Sequence, residues 1–193
     1  MPKPIANYKF TQTESSAIKE LIKYSANKKI ESARIIKADK DITDKFILIE
    51  DDLRCNLLPK GEKFACENAD CKLFKTLKKK VLLKDSTYIH YHPYDLPLSI
   101  GDVLTSFNAN LQKMIAVTKD GKYSIFIPNN NSTNKPIKEL YTANTTLVNA
   151  MKRNNGSDYI LKNSYVFSKY KNQLNAFWQQ IAKQTGSTYI SNL

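Results

Sequence analysis

The stretch STYIHYHPYDLPLSIGDV, residues 86–103, constrains the chain more than any other, because it dictates three conformations in succession. Thr87 to His92 are β-branched, aromatic and imidazole side chains and, with Ser86 before them, predict a strand. Pro93 and Pro97 then stiffen a turn, since each ring locks its own backbone. Ser99 carries an oxygen suited to the free amides of a helix start, and Asp102 a charge suited to its dipole. A helix is therefore predicted after Ser99, with Val103, Phe107, Leu111 and Met114 recurring along it.

Both histidines of the 193-residue chain fall inside this stretch. Alternate side chains of a strand share a face, so Tyr88, His90 and His92 point one way and Thr87, Ile89 and Tyr91 the other. Two imidazoles at i and i+2 can reach one metal ion. Asp102 offers an oxygen that the proline turn could return to the strand end. A catalytic zinc takes three protein ligands and keeps a fourth position open. Each piece alone has a plainer reading: a His-x-His is more often a surface or core feature, and Ser99 with Asp102 could be a helix cap and nothing more. Their joint order, with no histidine elsewhere, carries the metal reading.

On either side the pattern is mixed. Thr11-Gln12-Thr13-Glu14 forms a capping box and predicts a helix with Ile18, Leu21, Ile22 and Ser25 on one face. ESARIIKA and DKFILIEDD read as two strands of a hairpin, and residues 54–70 as irregular, with a turn at Pro59 to Gly61. Asp70 caps a predicted second helix along Leu73, Leu77 and Val81. KMIAVTKDGKYSIFIP reads as a hairpin turning at Asp120-Gly121. An Asn-rich loop leads to two helices, about 136–153 and 165–185, the second ending at Gly186. Tyr170, Leu174, Phe177, Trp178 and Ile181 form an apolar stripe on it, read as core packing. The order α-β-β-α-β-α-β-β-α-α implies one mixed α/β domain, residues 11–193, with a core over 11–128 and a helical C-terminal portion over 136–193.

Five glycines and no glycine-rich loop exclude a Rossmann or P-loop nucleotide site. No apolar run approaches the ~18–20 residues of a membrane span, and the start has no apolar signal region. A cytoplasmic protein with no membrane partner is the expectation. Cys55, Cys66 and Cys71 fit tetrahedral zinc spacings poorly and read as free thiols in a reducing compartment. The net charge of +12 comes almost wholly from lysine, because Arg34, Arg54 and Arg153 are the only arginines. The lysines are dense only over residues 75–84. A solvated basic surface is the plainer reading; an acidic partner surface, nucleic acid included, stays open.

HYHPYDLPLSIGD resembles the His-x-His-Pro…Ser-x-x-Asp signature of the JAMM (JAB/MPN) zinc metalloproteases. The loop from His92 to Ser99 is one residue shorter than in many members, as in the bacterial and phage-related, RadC-like branch. KMIAVTKDGKYSIFIP and FWQQIAKQTGSTYI resemble that branch's hairpin and C-terminal helix, so the likeness runs from about residue 14 onward. It implies a JAMM-like (cytidine-deaminase-like) mixed β-sheet flanked by helices, with C-terminal helices. It also implies Zn2+ held by His90, His92 and Asp102, and Ser99 as a donor to the oxyanion of amide hydrolysis. A glutamate should accept the proton of the attacking water. Glu31, where the first helix gives way to a strand, is preferred to Glu50, with Glu62 and Glu67 behind. The implied substrate is a peptide or isopeptide, ubiquitin-like conjugates among the candidates. The alternative is a non-catalytic JAMM-like binding module, in which nucleic-acid association would be independent of zinc.

Overall fold

In a computed structural model of the chain, residues 8–28, 30–50, 55–59, 79–132, 135–136, 139 and 164–193 are described. The elements in chain order are α1 (Gln12–Lys28), β1 (Ala33–Lys37), β2 (Lys40–Asp41), a 3-10 turn (Thr43–Lys45), β3 (Phe46–Glu50) and β4 (Cys55–Pro59). Then come β5 (Thr87–Tyr91), α2 (Ile100–Asn108), β6 (Lys113–Val117), β7 (Tyr123–Ile127), α3 (Ser164–Thr185) and β8 (Thr188–Ser191). Residues 79–83 are also helical.

Six strands form one mixed sheet in the order β2-β1-β5-β6-β7-β8, while β3 and β4 pair separately. Among the described strands only β5 and β6 run parallel, because α2 carries the chain back between them; the other pairs are antiparallel. Strand alternation divides the sheet into two apolar layers. Ile36, Ile89, Tyr91, Ile115, Val117 and Ile125 face α1, where Ala17 and Leu21 cover them. Ala33, Ile35, Tyr88, Met114, Ala116 and Phe126 face the other way, under α2 and α3. Helices on both faces explain why β5 and β6 are buried at every position. The apolar stripe of α3 enters the second layer, with Trp178 and Ile181 fully enclosed.

The local signals hold where they were strongest. Thr11 and Glu14 form the reciprocal box at the start of α1, the Thr11 N–H donating to Glu14 Oε2 at 3.0 Å and the Glu14 N–H to Thr11 Oγ1 at 3.2 Å. β6 and β7 pair as a hairpin, and Gly121 in its turn has φ 73°. Gly186, at φ 64°, ends α3 with the Ser187 N–H donating back to Ala182 O at 2.9 Å, the reach of a Schellman cap.

Other expectations need correction. The expected hairpin of ESARIIKA with DKFILIEDD does not form: β1 pairs with β5 and with the short β2, and β3 pairs with β4. The tight turn lies instead at Ala38 and Asp39, both with positive φ, and alanine there gives no sequence signal. The segment around Cys55, read as irregular, is strand β4. Val81, read as one of the recurring apolar positions of the second helix, is exposed, whereas Leu83 is buried. The helix after Ser99 stops at Asn108, so Leu111 and Met114 lie beyond it. β8 was not foreseen; it joins the sheet beside β7, so the C-terminal portion is not purely helical. Cys66, Cys71, the helix start at Asp70 and nearly all of the expected helix over 136–153 lie outside the described residues. Among the described residues no helix is long and apolar enough to cross a membrane.

Candidate metal centre

The site forms where β5 ends. His90 is the fourth residue of that strand and His92 lies just past it, held in line because its N–H donates to Val117 O of β6 at 2.8 Å. Both rings therefore emerge on the face under α2 and α3, as the strand's alternation requires. Ser99 caps α2, and Asp102 in its first turn completes a capping box. The Ser99 N–H donates to Asp102 Oδ2 at 2.7 Å, and the Asp102 N–H to Ser99 Oγ at 3.2 Å. The box leaves Oδ2 facing the histidines, 3.4 Å from His90 Nε2 and 3.6 Å from His92 Nε2. The helix cap and the candidate metal ligand are thus one carboxylate.

The two Nε2 atoms stand 2.8 Å apart, and His90, His92 and Asp102 make a group whose ligand atoms could hold a metal ion. A tetrahedral zinc with bonds of about 2.0–2.1 Å keeps its ligand atoms about 3.3 Å apart. Separations of 2.8, 3.4 and 3.6 Å scatter around that value. Two imidazole nitrogens and one carboxylate oxygen also suit a borderline divalent cation. His92 Nδ1 sits 2.9 Å from Leu96 O, where its N–H donates and leaves Nε2 with its lone pair toward the group. His90 Nδ1 is buried and has no hydrogen-bond partner among the described residues.

Charge is arranged to match. Burial works against the negative form of Asp102, but the histidines, His90 first, outweigh it and hold the carboxyl well below its ordinary 3.8. Burial likewise opposes the charged His92, yet Asp102, Glu31 and the Leu96 carbonyl together raise its pKa above 6.5.

Glu31 reaches the site through strand register. Ala33 of β1 lies opposite His90, and the Tyr91 N–H donates to Ser32 O at 2.9 Å. One step further, Glu31 falls beside His92, its Oε1 3.9 Å from His92 Nε2 and its side chain half-buried. Glu50, the competing candidate, ends β3 in the separate two-stranded sheet, paired with Cys55. Glu62 and Glu67 lie outside the described residues. Ser99 is exposed at the rim, and while its oxygen accepts the Asp102 N–H, its own proton can still be donated.

Three supports had no sequence signal. Leu96 O orients His92 from within the turn. Both backbone groups of Leu98 are held, its N–H by Ser124 Oγ at 2.9 Å and its C=O by Trp178 Nε1 at 2.7 Å. Asp95, in the same turn, pairs with Lys122 at 2.9 Å and stands 3.8 Å from Lys171 of α3. The last two depend on residues brought together from distant parts of the chain. No family model matches the chain, and no curated protein matches it.

Proposed function

We propose that the chain is a zinc-dependent amide hydrolase of the JAMM type, acting on a peptide or isopeptide bond. The observation that carries this reading is the convergence of His90, His92 and Asp102 with the Glu31 carboxylate at their edge. A structural zinc is closed by four protein ligands, whereas three ligands leave a position open for water. A hydrolase also needs a carboxylate beside them and a hydroxyl or amide donor at the rim.

Zinc bound here would supply a Lewis acid that polarises a carbonyl and lowers the pKa of water. His90 and His92 supply neutral nitrogen ligands, and Asp102 a carboxylate already ionised across the neutral range. Glu31 accepts a proton from the attacking water and returns it to the departing amine, the exchange expected of a positioned general base. Ser99 donates its hydroxyl proton to the oxygen on which negative charge develops. The helix start of α2 directs the positive end of its dipole to the same place. The resemblance of HYHPYDLPLSIGD to the JAMM signature favours protein or peptide substrates, and the lysine-rich surface favours acidic ones.

The test is metal content of protein purified without added metal, followed by cleavage of a quenched-fluorescent library of linear and lysine-branched peptides. About one zinc per chain is expected, lost in His92→Ala and kept in Glu31→Gln, with cleavage abolished in both. Absence of zinc from the folded wild-type chain would overturn the metal reading. Full cleavage by Glu31→Gln would overturn the role of that residue.

A further inference from the structure

The chain has one tryptophan, and its position in α3 brings it to the ligand set from far away in sequence. Trp178 is fully buried, and its Nε1–H donates to Leu98 O at 2.7 Å across a separation of 80 residues. Leu98 O belongs to the same peptide unit as the Ser99 N–H. That unit is planar and trans, so its C=O and N–H point in opposite directions and turn together. The Ser99 N–H is the donor that holds Asp102 Oδ2 at 2.7 Å, and that oxygen faces His90 and His92.

We propose that Trp178 is a positioning residue for the metal centre, fixing the Leu98–Ser99 peptide plane and through it the Asp102 carboxylate. The inference rests on the metal reading above but concerns a residue outside the ligand set. Two physical effects act in the same direction. The indole prevents the peptide from rotating, which would swing the Ser99 N–H away from Oδ2. It also polarises the peptide, since a hydrogen bond to C=O strengthens the one made by the N–H of the same unit. Fully buried Leu98 and Ser124 leave water no access from which to replace the indole. Ser124 Oγ holds the preceding peptide by the Leu98 N–H, so two successive planes are fixed, one from β7 and the next from α3.

Because Trp178 is the single tryptophan, it can be exchanged biosynthetically for an isostere without the N–H. Trp178→benzothienylalanine keeps the shape and removes the donor; Trp178→4-fluorotryptophan keeps both. Zinc affinity is measured by competition with a chromophoric chelator, in the otherwise unmodified chain and in Asp102→Asn. An outer partner of a ligand is worth about 10- to 100-fold in metal affinity, and a loss of that size is expected for the benzothienyl variant. The fluorinated variant retains wild-type affinity. In the Asp102→Asn background the benzothienyl exchange has little further effect, because the carboxamide keeps the Ser99 N–H but no longer supplies the charged oxygen whose placement Trp178 governs.

Unchanged affinity in the benzothienyl variant would overturn the proposal, and so would an equal loss in both backgrounds, which would mark general loosening of the core. Failure of the unmodified chain to bind zinc would defeat the metal reading and this one with it. A second measurement needs no tryptophan variant to fold. The indole N–H proton resonance of metal-free protein shifts between wild type and Asp102→Asn if the peptide couples the two residues, and an identical resonance overturns the coupling.

Discussion

Asp102 Oδ2 lies 3.4 Å from His90 Nε2, and the same atom accepts the Ser99 N–H that begins α2. A helix start and a candidate ligand set therefore share one oxygen. The arrangement lets backbone structure hold the carboxylate still, so that little rotamer freedom remains to be lost when a cation arrives.

Asp102→Asn separates the two tasks. The carboxamide oxygen can still accept the Ser99 N–H, so the circular dichroism spectrum of the metal-free chain should be unchanged. Zinc affinity should fall by more than the roughly 10- to 100-fold that loss of an outer partner costs. Titration calorimetry of the two proteins measures both the affinity and the stoichiometry.

The pH dependence follows from the opposed shifts of His92 and Asp102. The raised His92 contributes stability that is complete below 6.5 and is lost as pH rises through its folded value. The lowered Asp102 contributes stability that is present above 3.8 and is lost as pH falls through its own folded value. In the metal-free chain the two contributions are therefore both complete between those ordinary values. Nε2 of His92 must lose its proton to ligate, so zinc should bind more tightly as pH rises from about 6 to about 8. Melting curves with and without zinc across that range should diverge with rising pH. A gap independent of pH would count against a protonated His92 in the metal-free site.

At the opposite end of β5 and β6, Lys113 Nζ meets the buried Glu14 carboxylate at 2.6 Å and the Tyr8 hydroxyl at 2.8 Å. Thr87 donates to the same Glu14 oxygen at 3.3 Å. Breaking a buried pair from one side leaves a charge without compensation. Lys113→Met should cost about 3–5 kcal/mol in urea unfolding. Adding Glu14→Gln to it should recover part of that loss, because the stranded charge is removed.

Gly186→Ala tests the end of α3. At φ 64° a side chain is strained, and an added Cβ would come within 3.1 Å of Asn129 Nδ2. A cost of about 1–2 kcal/mol is expected from the backbone conformation alone. The amide of Ser187, which donates to Ala182 O, should exchange faster with solvent in the variant.

Short-range features were legible in the chain itself. The Thr11–Glu14 box, the shared face of His90 and His92, the Ser99–Asp102 helix start, the Asp120-Gly121 turn and the stop at Gly186 each depend on residues at most three apart, and the backbone's own periodicity brings those together. Ala38 shows the limit of that logic. Its left-handed conformation is imposed by the pairing of Lys37 with Lys40, and alanine carries no mark of it.

Pairing between distant segments was decided by the tertiary structure alone. Apolar strands such as ARIIK and FILIE have similar patterns, and nothing within either states which partner buries it better. Only the choice of β5 by β1, with Ala33 opposite His90, puts Glu31 beside His92. The packing of α3 on the sheet likewise turns a tryptophan that reads as core filler into a donor to the peptide ahead of Ser99. The sequence alone thus determined which side chains could meet a metal from one strand and one helix start. The register and packing that bring Glu31 and Trp178 to them arise from burial summed over the whole sheet, which no short stretch of residues encodes.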